Sequence, residues 1–169
     1  MRRAVLALFK SLTQSKEAIE ELRKESLANS YISVVVPSRS LYTEKFKEEF
    51  ASELTAFPAE KSLGIFDGYL VQSGPIELPD IGEVLAAGPF AGNLLHETEK
   101  GVSGNLANFG VSEKVANHYE QGVRDGKILV IVESDQSKIN EIANVLTSYG
   151  GREVEKWSRT TNSPTYPRK

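Results

Sequence analysis

Hydrophobic positions along this chain fall into continuous runs and helically spaced runs, and the same succession occurs near both ends. Ala4 to Phe9 is apolar without interruption and bounded by charge, the pattern of a short strand covered on both faces. From Gln14 to Glu25 the apolar residues Ala18, Ile19 and Leu22 recur at helical spacing. Lys16, Glu17, Glu20, Glu21, Arg23 and Lys24 occupy the rest of the circumference, so an amphipathic surface helix is predicted. Asn29-Ser30 breaks that pattern, and Tyr31 to Val36, rich in β-branched and aromatic residues, reads as a second strand ended by Pro37. Near the other end, Ile128 to Val132 is again an uninterrupted aliphatic strand. The helix after it is marked by Ile139, Ile142, Ala143, Val145 and Leu146, with Ser134, Asp135 or Ser137 as its candidate cap. Gly150-Gly151 supplies the stop, and Arg152 to Trp157 alternates as a last strand. Two β-α-β units predict an α+β fold with a ferredoxin-like core, a four-stranded sheet with two helices on one face.

Between the units, residues 38–111 form a helical and β insertion too long to be structureless in a compact domain. Thr43 to Leu54 is predicted helical from Phe46, Phe50 and Leu54, and Gly64 to Gly74 reads as an extra strand. The stretch after Leu78 admits two readings. Asp80-x-x-Glu83 has the form of a capping box, but Gly88-Pro89 would end its helix after about two turns. A strand over Glu83 to Ala87 followed by a helix with Pro89 in its first turn is the preferred reading. Ser112 then caps a helix whose inward residues are Val115, Ala116, Tyr119 and Val123. The expected organisation is one domain over residues 1–157, with its core in 1–37 and 112–157, and a disordered tail over 158–169.

Composition narrows the function classes. The chain has 169 residues, 40% hydrophobic and 25% charged, with a formal net charge of -3 that gives no general attraction to polyanions. It contains no cysteine, so disulfides, thiolate ligands and cysteine nucleophiles are excluded. The apolar run after Met1-Arg2-Arg3 stops at Lys10, short of a secretory signal. The stretch Ile81 to Leu95 contains Glu83, Pro89 and Asn93 and is too short to span a bilayer. A cytoplasmic protein without membrane or nucleic-acid partners is expected.

Candidate chemistry is sparse. His96-Glu97-x-Glu99 is rich in ligand atoms but has no second histidine at helical spacing, so it reads as an exposed polar turn. No Gly-x-Ser-x-Gly, Gly-x-x-x-x-Gly-Lys or Gly-x-Gly-x-x-Gly pattern occurs, and the carboxylates of Asp67, Asp80 and Glu83 are accounted for by turns and caps. Gly101-x-x-Gly104 has the spacing of an RNA clamp loop, with only Lys100 as a basic neighbour. These residues designate no catalytic group, metal site or cofactor. Gly88, Pro89, Phe90 and Gly92 place two glycines around an aromatic, which suits packing of the insertion onto the sheet, a self-association surface or the lip of a small apolar pocket. Tyr69, His118 and Tyr119 are the candidates to line a pocket between sheet and insertion.

Three stretches read together carry a family resemblance: Ala4 to Val36; Leu78-Pro79-Asp80-Ile81-Gly82-Glu83-Val84-Leu85-Ala86-Ala87-Gly88-Pro89-Phe90-Ala91; and Gly110-Val111-Ser112-Glu113 through Tyr119-Glu120, Gly122-Val123, Gly126 and Ile128-Leu129-Val130. Their order resembles the bacterial general stress protein 17M-like family of small heat-induced proteins. The resemblance implies a role in stress response without catalysis, and no catalytic residue is carried over. The family's Gly/Ala-rich stretch is here interrupted by His96-Glu97-Thr98-Glu99-Lys100 and Asn105, so no membrane-apposed role is carried over either. The expectation is therefore a non-enzymatic interaction module that engages another copy, as a homodimer, or another protein, through an exposed sheet face, a sheet edge or the insertion. The alternative is a small-ligand sensor or an enzyme with a pocket between sheet and insertion.

Overall fold

A computed structural model describes residues 2–24, 31–37, 76–108 and 110–158. Among these residues the chain runs β1 (Arg2–Phe9), α1 (Leu12–Lys24), β2 (Tyr31–Pro37), β3 (Ile76–Leu78), β4 (Gly82–Ala87), α2 (Pro89–His96), α3 (Gly101–Ala107), α4 (Glu113–Arg124), β5 (Ile128–Asp135), α5 (Ile139–Ser148) and β6 (Arg152–Ser158). The fold is α+β, built on one six-stranded sheet in the order β3-β4-β2-β5-β1-β6. Every neighbouring pair is antiparallel, with Val5 opposite Val132 across β1 and β5, and Val35 opposite both Leu129 of β5 and Ala86 of β4.

The apolar runs explain the centre of the sheet. Ala4 to Phe9 and Ile128 to Val132 are all buried, and alternate residues serve two separate cores. Val5, Ala7 and Phe9 meet Ala18, Ile19 and Leu22 of α1 and Ile139, Ile142 and Leu146 of α5. On the opposite face, Leu6 and Leu8 meet a layer made by Phe90, Leu94, Val102, Leu106, Tyr119 and Val123 of α2, α3 and α4. The predicted plan of four strands with helices on one face is thus corrected to six strands with helices on both. Strands that are apolar on both sides leave no face to solvent, and the second face is covered from within the chain.

The hairpin β3–β4 resolves the two readings after Leu78. Glu83 to Ala87 is strand, and Pro89 opens α2 at its first position, as preferred. The capping box does not form: Asp80 lies in the hairpin turn with φ 64°, a conformation that short polar side chains tolerate. The cap expected for the last helix is also corrected. Ser134 is buried at the end of β5, and a 3-10 turn, Gln136–Lys138, intervenes. Neither Asp135 before that turn nor Lys138 before α5 makes a side-chain capping bond. Ser112 does cap α4, its Oγ accepting from the Val115 N–H at 3.4 Å. Gly150, at φ 100°, ends α5 as expected. The predicted helix over Thr43 to Leu54, the strand over Gly64 to Gly74, Tyr69 and the tail from 159 onward lie outside the described residues.

The start of α2 is fastened to β2. Gly88 cannot cap the helix with a side chain, and Ser33 substitutes from the neighbouring strand, its buried Oγ accepting from the Phe90 N–H at 2.9 Å. That approach requires glycine: a Cβ on Gly88 would stand 2.1 Å from the Ile32 carbonyl oxygen, and the residue holds φ 89°. Gly92, on the exposed side of the same helix, meets nothing within 4 Å. Gly88→Ala is therefore expected to destabilise the fold by about 3 kcal/mol or more through clash and strain. Gly92→Ala is expected to stabilise it by up to about 1 kcal/mol. Urea denaturation of both variants checks this, and equal effects would contradict the packing described.

Candidate functional site

Among the described residues, polar groups converge around a cavity where α4 passes the edge strand β6. Helix α4 turns Ala116, Tyr119, Gly122 and Val123 toward the sheet, while His118 stands at the border of that face. The strand opposite is irregular. Leu6 pairs with Glu155 and Leu8 with Arg152, so Glu153 and Val154 together oppose Ala7 in a β-bulge. Val154 packs toward the core shared with α1 and α5, whereas Glu153 and Glu155 look toward α4. Glu153 holds φ 56°, a left-handed conformation that costs a glutamate free energy.

Two contacts hold the bulge against the helix. The Tyr119 hydroxyl donates to the Glu153 carbonyl, and His118 Nε2 lies 3.1 Å from Glu153 Oε1. Tyr119 is fully buried, whereas the His118 and Glu153 side chains are 57% and 48% exposed. One neighbour is thus a fixed anchor and the other a solvated rim. Lys114, Val115, His118, Tyr119, Glu153 and Glu155 together line a cavity of about 320 Å³. Burial in the first place, then the charges of Glu155 and Glu153, hold the Tyr119 hydroxyl above its ordinary pKa of 10.0. It is therefore a hydrogen-bond donor at physiological pH and not a base.

Among the described residues, the pocket candidates brought together are His118 and Tyr119, and their pocket lies between α4 and β6, not between sheet and insertion. Gly88 and Phe90 are consumed by packing on β2, and Pro89 and Gly92 face outward. His96 is exposed at the end of α2, and Glu97 pairs with Lys100 at 3.2 Å. Gly101-x-x-Gly104 forms the first turn of α3 and not a clamp loop. That turn is fixed to α4 by Glu120, whose Oε1 accepts from the Ser103 N–H at 2.8 Å while Oε2 accepts from Arg124 at 3.0 Å. Among the described residues no three His, Asp or Glu side chains are grouped to hold a metal. An open groove of about 470 Å³ between the start of α1 and the α5–β6 turn, passing Gln14, Glu17, Tyr149 and Arg152, contains no fully buried side chain.

Sequence reasoning missed Lys114, Val115, Glu153 and Glu155. The first two are four residues before His118 and Tyr119, a helical spacing that already set them on the same side of α4. The alternation of Arg152 to Lys156 placed the glutamates on one face of the last strand, but nothing in their side-chain type signals a bulge. No helix among the described residues is long and apolar enough to cross a membrane.

The raised pKa of Tyr119 fixes the sign of a pH effect. Above pH 10 the unfolded chain releases a proton that the folded chain keeps, so this contribution to stability is complete below that pH and is lost as pH rises past it. Tyr119→Phe is expected to cost about 1–2 kcal/mol at neutral pH and to flatten the alkaline loss of stability. Urea denaturation between about pH 8 and 11 checks this, and identical pH slopes in the two proteins would refute it. No family model, curated protein or solved structure matches this chain.

Proposed function

We propose that this chain is a non-enzymatic recognition module whose α4–β6 cleft binds a small polar ligand. The observation that carries the reading is the strained bulge at Glu153. It sets two carboxylates of the edge strand beside a buried tyrosine and a half-exposed histidine around one cavity. Strain of this kind persists where the surrounding structure over-determines it, and it concentrates at binding and catalytic sites. Binding is favoured over catalysis because the Tyr119 hydroxyl is committed to a backbone carbonyl, and the described residues lining the cleft include no serine, threonine or cysteine to act as a nucleophile.

The fold reading accompanies it. The succession β2-β5-β1-β6, with α1 and α5 sharing one core, supports a ferredoxin-like unit to which the β3–β4 hairpin and the layer α2–α4 are added. The assignment to a general stress protein 17M-like family rests on the three quoted stretches alone, and under it the ligand would belong to a stress response. Association through the sheet has less support among the described residues. Both faces are covered, β3 has three residues, and β6 carries charges and a bulge that discourage pairing with another strand. The one exposed large hydrophobic there is Leu95, at 53%, and an isolated exposed leucine marks no interface.

A thermal-shift screen of metabolites tests the ligand reading. At a hundredfold excess over its dissociation constant, a ligand stabilises the fold by about 2.7 kcal/mol, which raises the midpoint by roughly 5–10 °C in a domain of this size. His118→Trp, on a half-exposed side chain at the rim, fills the cleft and is expected to abolish the shift. Hits that stabilise the wild type and this variant equally would remove the cleft from the function.

A further inference from the structure

The balance of hydrogen-bonding groups around the cleft indicates what it accepts. From β6, two carboxylates face it, Glu153 and Glu155. From α4, the polar groups are the Lys114 ammonium, the His118 imidazole and the Tyr119 hydroxyl. Two of these donors are already committed to one residue, the tyrosine to the Glu153 carbonyl and the histidine to the Glu153 carboxylate. A carboxylate offers about four acceptor positions, so most of the capacity of Glu153 remains open. The Glu155 carboxylate makes no hydrogen bond or ion pair with any described residue, although it is close enough for its charge to act on the Tyr119 hydroxyl. Lys114, exposed at the rim, has no ion-pair partner among the described residues either. The unfilled capacity is thus in acceptors, and the cleft is lined by two carboxylates against one ammonium.

Val115 adds the apolar part of the wall, and the volume of about 320 Å³ sits at the low end of the range of small-molecule pockets, roughly 300–1,000 Å³. We propose that the cleft binds a small aliphatic amine, its ammonium held by the Glu153 and Glu155 carboxylates and its alkyl chain laid against Val115. This deepens the recognition reading and rests on it. The carboxylates supply charge-assisted hydrogen bonds, the strong kind, to a donor-only group, which an anion or a neutral alcohol of the same shape cannot match. An amine also leaves the Tyr119 anchor and the bulge as they are, because neither has to give up its existing partner.

The experiment is an amide-resonance titration of the full chain with n-butylamine hydrochloride, with sodium butyrate and 1-butanol as anionic and neutral analogues at matched ionic strength. The expected result is saturable shifts for residues 114–119 and 153–155 with the amine, and at least tenfold weaker binding of the analogues. Glu155→Gln, on an exposed side chain with no partner to lose, should weaken the amine about fivefold, and Lys114→Met should strengthen it about twofold. Butyrate or butanol binding these residues as well as the amine overturns the cation assignment and leaves the cleft as a binding site. Unchanged amine affinity in Glu155→Gln overturns it too. No shift at these residues with any of the three compounds removes both the assignment and the recognition reading.

Discussion

Strands β1 and β5 present aliphatic side chains to both sides of the sheet, and burying both sides is the constraint from which the rest of the architecture follows. Each residue of Ala4 to Phe9 buried on one face commits its neighbour to the other, so a single layer of helices cannot satisfy the strand. Helices α1 and α5 close one core, with Leu22 and Leu146 among the residues that fill it. The second core is closed by α2, α3 and α4, two of which come from the segment between the β-α-β units. That segment is therefore part of the hydrophobic structure of the domain. Its attachment is specific, since Gly88 lets the backbone reach β2 and Ser33 supplies the hydrogen bond that the start of α2 lacks.

The same constraint relaxes at the edges, and the candidate site lies where it relaxes. A bulge in β1 or β5 would break ladders on two sides and shift core residues to the wrong face. In β6 it disrupts a ladder on one side only, with β1. The remaining cost is the left-handed backbone of Glu153, offset by the hydroxyl of Tyr119, which gives the displaced carbonyl a donor inside the protein. A buried tyrosine needs a partner for its hydroxyl, and a bulged carbonyl needs a donor; each meets the requirement of the other.

Much of this could be read from the residues, and the parts that could not share a physical cause. Uninterrupted runs such as Ala4 to Phe9 announce a strand buried on both sides, and Ala116, Tyr119 and Val123 announce the inner face of α4, because burial leaves a local period. What covers a buried face leaves none: packing of the insertion onto the sheet was one of the readings of Gly88 to Gly92, but not a second layer of three helices. Pro79-Asp80-Ile81-Gly82 carried turn chemistry, yet aspartate serves hairpin turns and helix caps through the same short acceptor, so local pattern admitted both until Gly88-Pro89 was weighed. His118 and Tyr119 were visible as candidates because of their side chains. Their partner Glu153 was not, since it lies 34 positions from Tyr119 and glutamate has no preference for the backbone conformation it adopts. Pairings across the fold and strained backbone are set by tertiary structure, and the candidate site is made of both.

The position of the two glutamates gives the cleft its physical logic. Glu155 stands opposite Leu6, on the row where an apolar residue would have extended the second core to the edge of the sheet. A carboxylate there cannot be buried without a partner, so the apolar cover stops at Val115 and Tyr119 and a solvated gap remains. The glutamates thus keep the cleft open simply by being charged. Their charge also adds to the burial that opposes ionisation of Tyr119, whose hydroxyl stays a donor to the Glu153 carbonyl. Opening of the gap thus follows from the two carboxylates, whereas closure of the anchor beneath it follows chiefly from the burial of Tyr119.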